Sequence, residues 1–157
     1  MSESAGRKYT LDELGELDSL DVDALRSMFT LELAGEQFYN ALADRVGNEQ
    51  AAELLRRNGR EEAGHARRIE RAIAIKLGQP FTPTADMLER PQMQLPEQVG
   101  PDLLGVIVQA EFDGDAGYQR WADNEALPEV ERLLRLNGRE ETIHGKRVEQ
   151  AIALMNE

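Results

Sequence analysis

Apolar residues recur at intervals of three and four along the first half of the chain, as they do in helices that bury one face. The first series ends at a Gly-Asn turn at positions 47–48. The second series runs to about Leu77 and meets a Gly-Gln-Pro stop at positions 78–80. The pattern therefore predicts two antiparallel helices, a helical hairpin, over residues 22–78.

A second hairpin is predicted over residues 102–156. Its first helix is expected from Asp102 to about Asn124, and a turn follows around residues 126–128. The last helix then runs to Met155. The second half of the chain thus repeats the organisation of the first.

Between the hairpins, residues 79–101 hold five of the six prolines, so they predict an irregular crossover with one short helical turn at Ala85 to Glu89. Residues 1–21 are interpreted as a leader, in which a short capped helix is expected from Thr10. Two hairpins joined by one long crossover predict an all-α fold, a four-helix bundle over residues 22–157.

Both hairpins carry the same motif. NGREEAGH at residues 58–65 returns as NGREETIH at residues 137–144. A fixed offset of 79 positions gives about 20 identical pairs between residues 23–75 and residues 102–154. This similarity indicates an internal duplication of the hairpin.

Composition excludes several classes of function. The 157 residues fit one domain, and the absence of cysteine excludes disulfides, thiolate zinc sites and iron-sulfur clusters. A net charge of −12 argues against nucleic acid and anionic membranes as partners. Since the sequence has neither a membrane-spanning apolar stretch nor a secretory signal pattern, we expect a cytoplasmic protein.

Four glutamates are expected at one level of the bundle. Residues at equal distances from a hairpin turn lie level with each other. Glu32 and Glu62 are equidistant from the first predicted turn, as Glu111 and Glu141 are from the second. Because these positions continue the apolar series of their helices, the carboxylates should point into the core.

A histidine follows the second glutamate of each hairpin by three residues, on the same helix face. Buried carboxylates without counter-charge are costly, whereas two divalent cations would balance all four and leave the imidazoles as neutral ligands. Oxygen and nitrogen ligands of this kind suit iron or manganese, with zinc as an alternative. The predicted metal ligands are Glu32, Glu62, His65, Glu111, Glu141 and His144.

These motifs resemble those of the ferritin-like di-iron carboxylate superfamily, nearest to rubrerythrins and encapsulated ferritins. The segment LELAGEQFYNALADR at residues 31–45, in which tyrosine follows glutamate by seven positions, and the segment NGREEAGH are similar to the helix motifs of encapsulated ferritins. Those proteins build the site between two subunits. The resemblance here implies a ferritin-like bundle whose fused hairpins complete a site for two iron ions within one chain.

The resemblance also implies individual roles. Glu62 and Glu141 would bridge the two metal ions, and Tyr39 and Tyr118 match the tyrosine that lies beside the site in the family. There a phenol could hydrogen-bond a ligand or supply an electron, although simple packing accounts for the two positions equally well. Rubrerythrins place a further glutamate where this chain has Gly114, which puts their peroxide-linked metal movement in doubt.

Other residues near the ligands are open to two interpretations. Glu36 and Asp115 could accept hydrogen bonds from the histidines, form an entry path for metal or be surface acids, while Glu61 and Glu140 are expected in solvent. Four glycines could leave a pocket beside the metals or allow close helix packing, and these are Gly35, Gly59, Gly114 and Gly138.

The expected function is that of an oxidoreductase that reacts Fe(II) with dioxygen or peroxide, as a ferroxidase or a peroxide scavenger. Its electron donor is unknown, since a rubredoxin module requires cysteine. Two alternatives stay open, a di-iron hydroxylase of an organic substrate and a metal-binding or structural bundle without turnover. A homodimer is compatible with each of them.

Overall fold

The computed structural model describes residues 6–90 and 92–157. This part of the chain contains six helices and no strand, which confirms the predicted all-α bundle. The helices are α1 (Leu11–Gly15), α2 (Val22–Ala43), α3 (Glu49–Leu77), α4 (Ala85–Leu88), α5 (Pro101–Asp123) and α6 (Pro128–Met155). Residues 1–5 of the predicted leader lie outside the described part. None of the described helices has the length and apolar composition needed to cross a bilayer.

Local sequence signals set the helix ends. The side chain of Asn48 accepts a hydrogen bond from the backbone N–H of Ala51 and so caps the start of α3. Gly78 ends α3 in the left-handed conformation, with φ of 69°, which a residue with a side chain rarely adopts. Pro128 begins α6, where its missing N–H is not needed. Both predicted hairpin turns are therefore followed directly by a long helix.

The four long helices pack as two hairpins. The backbone of α2 packs along α3, that of α5 packs along α6, and the two hairpins meet through α3 and α6. Buried apolar side chains form two clusters, one at each end of the bundle. The first includes Leu25 and Ile73, and the second includes Leu55 and Leu104. A layer of buried polar residues lies between the two clusters.

The end of the leader packs onto the bundle. Thr10 and Glu13 form a reciprocal capping box on α1, as expected for a short capped helix. Leu14 and Leu20 are buried in the first apolar cluster. The indole N–H of Trp121 donates to the carbonyl of Leu17 at 2.9 Å. Residues 11–20 thus cover the end of the bundle that holds the start of α2.

Candidate metal centre

The six predicted ligands meet in the polar layer. Nδ1 of His65 lies 3.4 Å from Oε2 of Glu32, 3.5 Å from Oε2 of Glu62 and 3.2 Å from Oε1 of Glu141. His144 has the corresponding environment, with its Nδ1 3.2 Å from Glu62 Oε1, 3.8 Å from Glu111 Oε2 and 3.9 Å from Glu141 Oε2. The two imidazole rings stack with centroids 5.0 Å apart. All four long helices therefore contribute to one cluster.

Nearly all of this cluster is shielded from solvent. Both histidine side chains are fully buried, and Glu32, Glu62 and Glu141 are buried as well. Glu111 is the most accessible of the six, with 11% of its side chain exposed. Four carboxylates in so dry a layer need positive charge close by.

Each histidine contacts an acid of the opposite hairpin through its outer nitrogen. Nε2 of His65 is 2.8 Å from Oε2 of Glu140, and Nε2 of His144 is 3.5 Å from Oε1 of Glu61. The expectation that Glu61 and Glu140 are solvated acids is therefore wrong. Because α3 and α6 pack against each other, the position next to each ligand glutamate faces the other hairpin instead of water.

Arginines hold these two acids in place. Both terminal guanidinium nitrogens of Arg68, Nη1 and Nη2, donate to Glu140 at 2.8 and 2.9 Å. Arg147 donates to Glu61 at 2.7 Å. Each arginine follows the acid of its own hairpin by seven residues and is identical in both halves. That repeated Glu–Arg spacing is the signal in the sequence that could have located the pair.

Two buried asparagines complete the connection between the hairpins. Asn58 donates to the backbone carbonyl of His144 at 3.1 Å and accepts from Arg147 at 3.0 Å. Asn137 makes the corresponding contacts, donating to the carbonyl of His65 at 3.3 Å and accepting from Arg68. The backbones that carry both histidines are thereby fixed relative to the other hairpin.

The two tyrosines cross between hairpins as well. The hydroxyl of Tyr39 donates to Oε1 of Glu111 at 2.6 Å, and the hydroxyl of Tyr118 donates to Oε1 of Glu32. The sequence left open whether these tyrosines hydrogen-bond a ligand or only pack. In the structure, each of them donates a hydrogen bond to a predicted ligand. The second carboxylate oxygen of each glutamate faces a histidine, that of Glu32 facing His65 and that of Glu111 facing His144.

Glu36 and Asp115 do not contact the histidines. Asp115 accepts from Thr142 at 2.5 Å and from Gln119 at 3.0 Å, while Glu36 lies 3.6 Å from Arg90 of the crossover. The suggestion that they accept hydrogen bonds from the imidazoles is therefore wrong. They lie one turn beyond Glu32 and Glu111, where other side chains are their partners.

The glycines near the ligands serve close packing. A Cβ atom on Gly138 would lie 2.9 Å from Cβ of Tyr118, and one on Gly59 would lie 3.2 Å from the backbone oxygen of Glu36. A Cβ on Gly35 would lie 3.2 Å from the carboxylate of Glu62. The first two positions let the helices approach, and the third leaves space for a ligand side chain.

Burial and mutual repulsion shift the ionisation of the carboxylates. Burial, together with the Glu62 carboxylate, raises the pKa of Glu32 to about 7. Burial also raises the pKa of Glu141, with repulsion from Glu32 adding to it. Burial alone would raise the pKa of Glu62 too, yet hydrogen bonds from His144 and His65 lower it to about 2.

Protons supply the missing positive charge on the histidine side. Although burial opposes it, hydrogen bonds to Glu140 and Glu141 raise the pKa of His65. The same contact with His65, aided by Arg68, lowers the pKa of Glu140 to about 2. Without metal, these surroundings favour protons on Glu32, Glu141 and His65, and a cation would displace them.

The cluster fits metal ions on chemical grounds. Oε2 of Glu111 is buried and has no hydrogen-bond partner, so this oxygen has an unused lone pair in the layer. Ligand atoms of Glu62, His65, Glu141 and His144 all lie within 4.8 Å of one another. A histidine whose outer nitrogen contacts a carboxylate is the usual arrangement of a metal-bound imidazole.

Comparison with known proteins agrees with this geometry. The rubrerythrin family model matches residues 23–87, which include Glu32, Glu62 and His65. Over its first hairpin the chain is rubrerythrin-like. The resemblance to the ferritin-like di-iron superfamily is thereby confirmed. No curated protein and no solved structure gives a significant match to the chain.

The match ends within α4, so the second half of the metal cluster lies beyond it. Glu111, Glu141 and His144 nevertheless occupy positions that correspond to those of the rubrerythrin-like hairpin, and they contact its residues directly. The chain thus has a buried cluster of carboxylates and histidines, a candidate metal centre to which both hairpins contribute.

Proposed function

We propose that this protein binds two Fe(II) ions between its hairpins and reacts them with dioxygen or peroxide, as a ferroxidase or a peroxide scavenger. The observation that carries the proposal is the orientation of the two histidines. Each presents Nδ1 to a group of buried carboxylates while its Nε2 faces an acid of the opposite hairpin. The ligands of the pair would be Glu32, Glu62, His65, Glu111, Glu141 and His144.

The contacts support a division of these six residues into bridging and terminal ligands. Glu62 directs one oxygen to His65 and the other to His144, and Glu141 does the same. Glu32 approaches only His65, and Glu111 approaches only His144. This division supports the proposal that His65 and His144 would each hold one metal ion, and that Glu62 and Glu141 would contribute to holding both.

A bound iron pair would supply the electrons that reduce dioxygen or peroxide. The chain itself would hold and shield the reactants. Glu140 and Glu61 would fix the ring orientation of the histidines, since each can accept the outer N–H. Tyr39 and Tyr118 would hold the terminal glutamates through their hydroxyl groups. The apolar clusters on both sides of the layer would exclude water.

The proposal is tested by mixing anaerobic protein that carries Fe(II) with dioxygen or with peroxide, and following iron oxidation by stopped-flow absorbance. We expect the double variant Glu62→Ala/Glu141→Ala to lose the fast reaction. Glu70→Ala/Glu149→Ala is the matched control, because these residues lie eight positions further along the same helices. Equal rates in the bridging variant and the wild type would refute the proposal.

The alternatives predict other results in the same preparation. Consumption of oxygen that depends on an added organic substrate would indicate a hydroxylase. Bound metal that reacts with neither oxidant would indicate a metal-binding bundle without turnover. Elemental analysis of protein purified without added metal identifies the ion that the chain takes up, with manganese and zinc as the competitors of iron.

A further inference from the structure

One aromatic pair extends from the candidate metal centre along α5. The hydroxyl of Tyr118 donates to Oε1 of Glu32, and its ring meets the indole of Trp121 edge to face, with centroids 5.2 Å apart. Tyr118 and Trp121 are one helical turn apart. A proposed metal ligand, a phenol and an indole thus form one continuous series of contacts.

The pair is shielded from water but ends near the surface. Tyr118 is 1% exposed and Trp121 is 5% exposed. The indole N–H donates to the carbonyl of Leu17, and the neighbouring Arg120 donates to the carbonyl of Gly15. The outer ring of the pair therefore lies under the leader, at the end of the bundle.

The first hairpin has no such pair. The position equivalent to Trp121 is Leu42, and Trp121 is the only tryptophan of the chain. Within the described residues, the rings in contact with Tyr39 are those of Phe38 and His144, each at 6.1 Å. Neither phenylalanine nor histidine is as easily oxidised as tyrosine. Tyr39 is thus an isolated phenol, whereas Tyr118 has an oxidisable neighbour.

We propose that Tyr118 and Trp121 form a one-electron pathway between the metal centre and the outer end of the second hairpin. This inference rests on the proposed function, which supplies the oxidant, dioxygen or peroxide reacting at the metals. The pathway would admit electrons from a soluble one-electron donor, and without a donor it would draw oxidising equivalents away from the ligands.

Each step balances. In the first, Tyr118 loses one electron to the oxidant at the centre and its phenolic proton to Oε1 of Glu32. In the second step, which is reversible, Trp121 gives one electron to the tyrosyl radical while the proton returns from Glu32, so tyrosine is restored. An indole radical cation is left, with its N–H still bonded to Leu17. A one-electron reductant restores Trp121. Otherwise the radical cation loses its N–H proton to solvent, dioxygen adds to the neutral indolyl radical, and a further Fe(II) with a proton from solvent converts the peroxyl radical to a hydroperoxide.

The first experiment follows the fate of Trp121. Protein loaded with Fe(II) is exposed to dioxygen or peroxide without a reductant, and oxygen addition to Trp121 is measured by peptide mass spectrometry per iron oxidised. We expect oxygenated Trp121 in the wild type, its loss in Tyr118→Phe and its retention in Tyr39→Phe. In Trp121→Phe, freeze-quench electron paramagnetic resonance should detect a trapped tyrosyl radical.

A second experiment needs no iron. Tyr9, the third tyrosine of the chain, is replaced by Phe so that only Tyr39 and Tyr118 can form tyrosyl radicals. In this background, a ruthenium photosensitiser with an electron acceptor oxidises metal-free protein, and transient absorption follows the radicals. We expect the indole radical to convert to a tyrosyl radical in protein that has Tyr118, including the Tyr39→Phe variant. In Tyr118→Phe this conversion should be absent. Circular dichroism and Mn(II) binding show that each variant folds.

The two experiments separate the two ideas. If Fe(II) is oxidised at the centre while Trp121 stays unmodified, the pathway is wrong and the proposed function still holds. A radical conversion that is unchanged in Tyr118→Phe would overturn the pathway in the same way. If Fe(II) is not oxidised but the indole radical of metal-free protein still converts to a tyrosyl radical, the proposed function is wrong. The electronic connection between the two rings is then supported.

Discussion

His65 and Glu140 meet across the two hairpins, with Nε2 of the histidine 2.8 Å from the carboxylate. The inner nitrogen of the same ring faces Glu32, Glu62 and Glu141. One side chain thus joins the outer contact between α3 and α6 to the layer of proposed ligands. The orientation of His65 depends on the packing of the hairpins as much as on its own helix.

Removal of this outer contact should weaken metal binding. We expect Glu140→Ala to lower Mn(II) affinity by about 10- to 100-fold, because the histidine loses the acceptor that orients it. Glu61→Ala should have a smaller effect, since its carboxylate is 3.5 Å from His144. Isothermal titration calorimetry measures both. Glu149→Ala, an exposed acid on α6, is the control, and equal affinity in Glu140→Ala and the wild type would contradict the prediction.

The ligand layer could be predicted from the sequence, whereas its outer contacts could not. Glu32 and Glu62 are level because two antiparallel helices advance equally from their turn, and that follows from counting residues. Periodicity also indicates which face of α6 points inward. It does not tell which helix lies beside that face, so periodicity alone predicts a solvated Glu140, one position from a ligand, whereas this residue faces His65.

The leader shows a second limit. Its helix could be predicted because Thr10 and Glu13 form a local capping motif, for which no distant residue is needed. Five helical residues are too few to show an apolar period, so no pattern in the sequence indicates that Leu14 is buried in the bundle. Contacts such as that of Trp121 with Leu17 join residues far apart in the chain and appear only in the folded molecule.

Leu14 should contribute strongly to stability. It is 0% exposed within the first apolar cluster, so we expect Leu14→Ala to lower the free energy of unfolding by about 2–5 kcal/mol. Leu11 lies on the same short helix and is 64% exposed, which makes Leu11→Ala the matched control. Urea unfolding followed by circular dichroism compares the two. Similar small losses in both variants would show that residues 11–20 are not part of the folding unit.

Replacement of Gly138 by alanine and replacement of Gly114 by alanine should have opposite effects on stability. A Cβ on Gly138 would lie 2.9 Å from the Cβ of Tyr118, so Gly138→Ala should destabilise metal-free protein by about 1–3 kcal/mol. A Cβ on Gly114 would lie 3.6 Å from Glu141, an ordinary contact, so Gly114→Ala should gain up to about 1 kcal/mol from helix propensity. Thermal unfolding without metal measures both changes. A gain in stability for Gly138→Ala would show that the helices are less closely packed there.

Metal affinity should fall as pH falls. Burial and the Glu62 carboxylate raise the pKa of Glu32 to about 7, and burial and the Glu32 carboxylate raise that of Glu141. Because a cation binds the ionised carboxylates, the metal-free protein holds protons that binding must release. Below the raised pKa these protons compete with the metal, and above it the competition ends. Mn(II) affinity should therefore increase between about pH 6 and pH 8.

Calorimetry in buffers of different ionisation enthalpy counts the released protons directly. We expect net release from the wild type, and about one proton fewer from Glu32→Gln, whose amide does not titrate. Glu36→Gln is the control, since Glu36 pairs with Arg90 outside the layer. If Mn(II) affinity were constant across this range and no proton were released, the carboxylates of the layer would already be ionised without metal. Their neutralisation by protons would then be wrong, and the buried layer would need another source of positive charge.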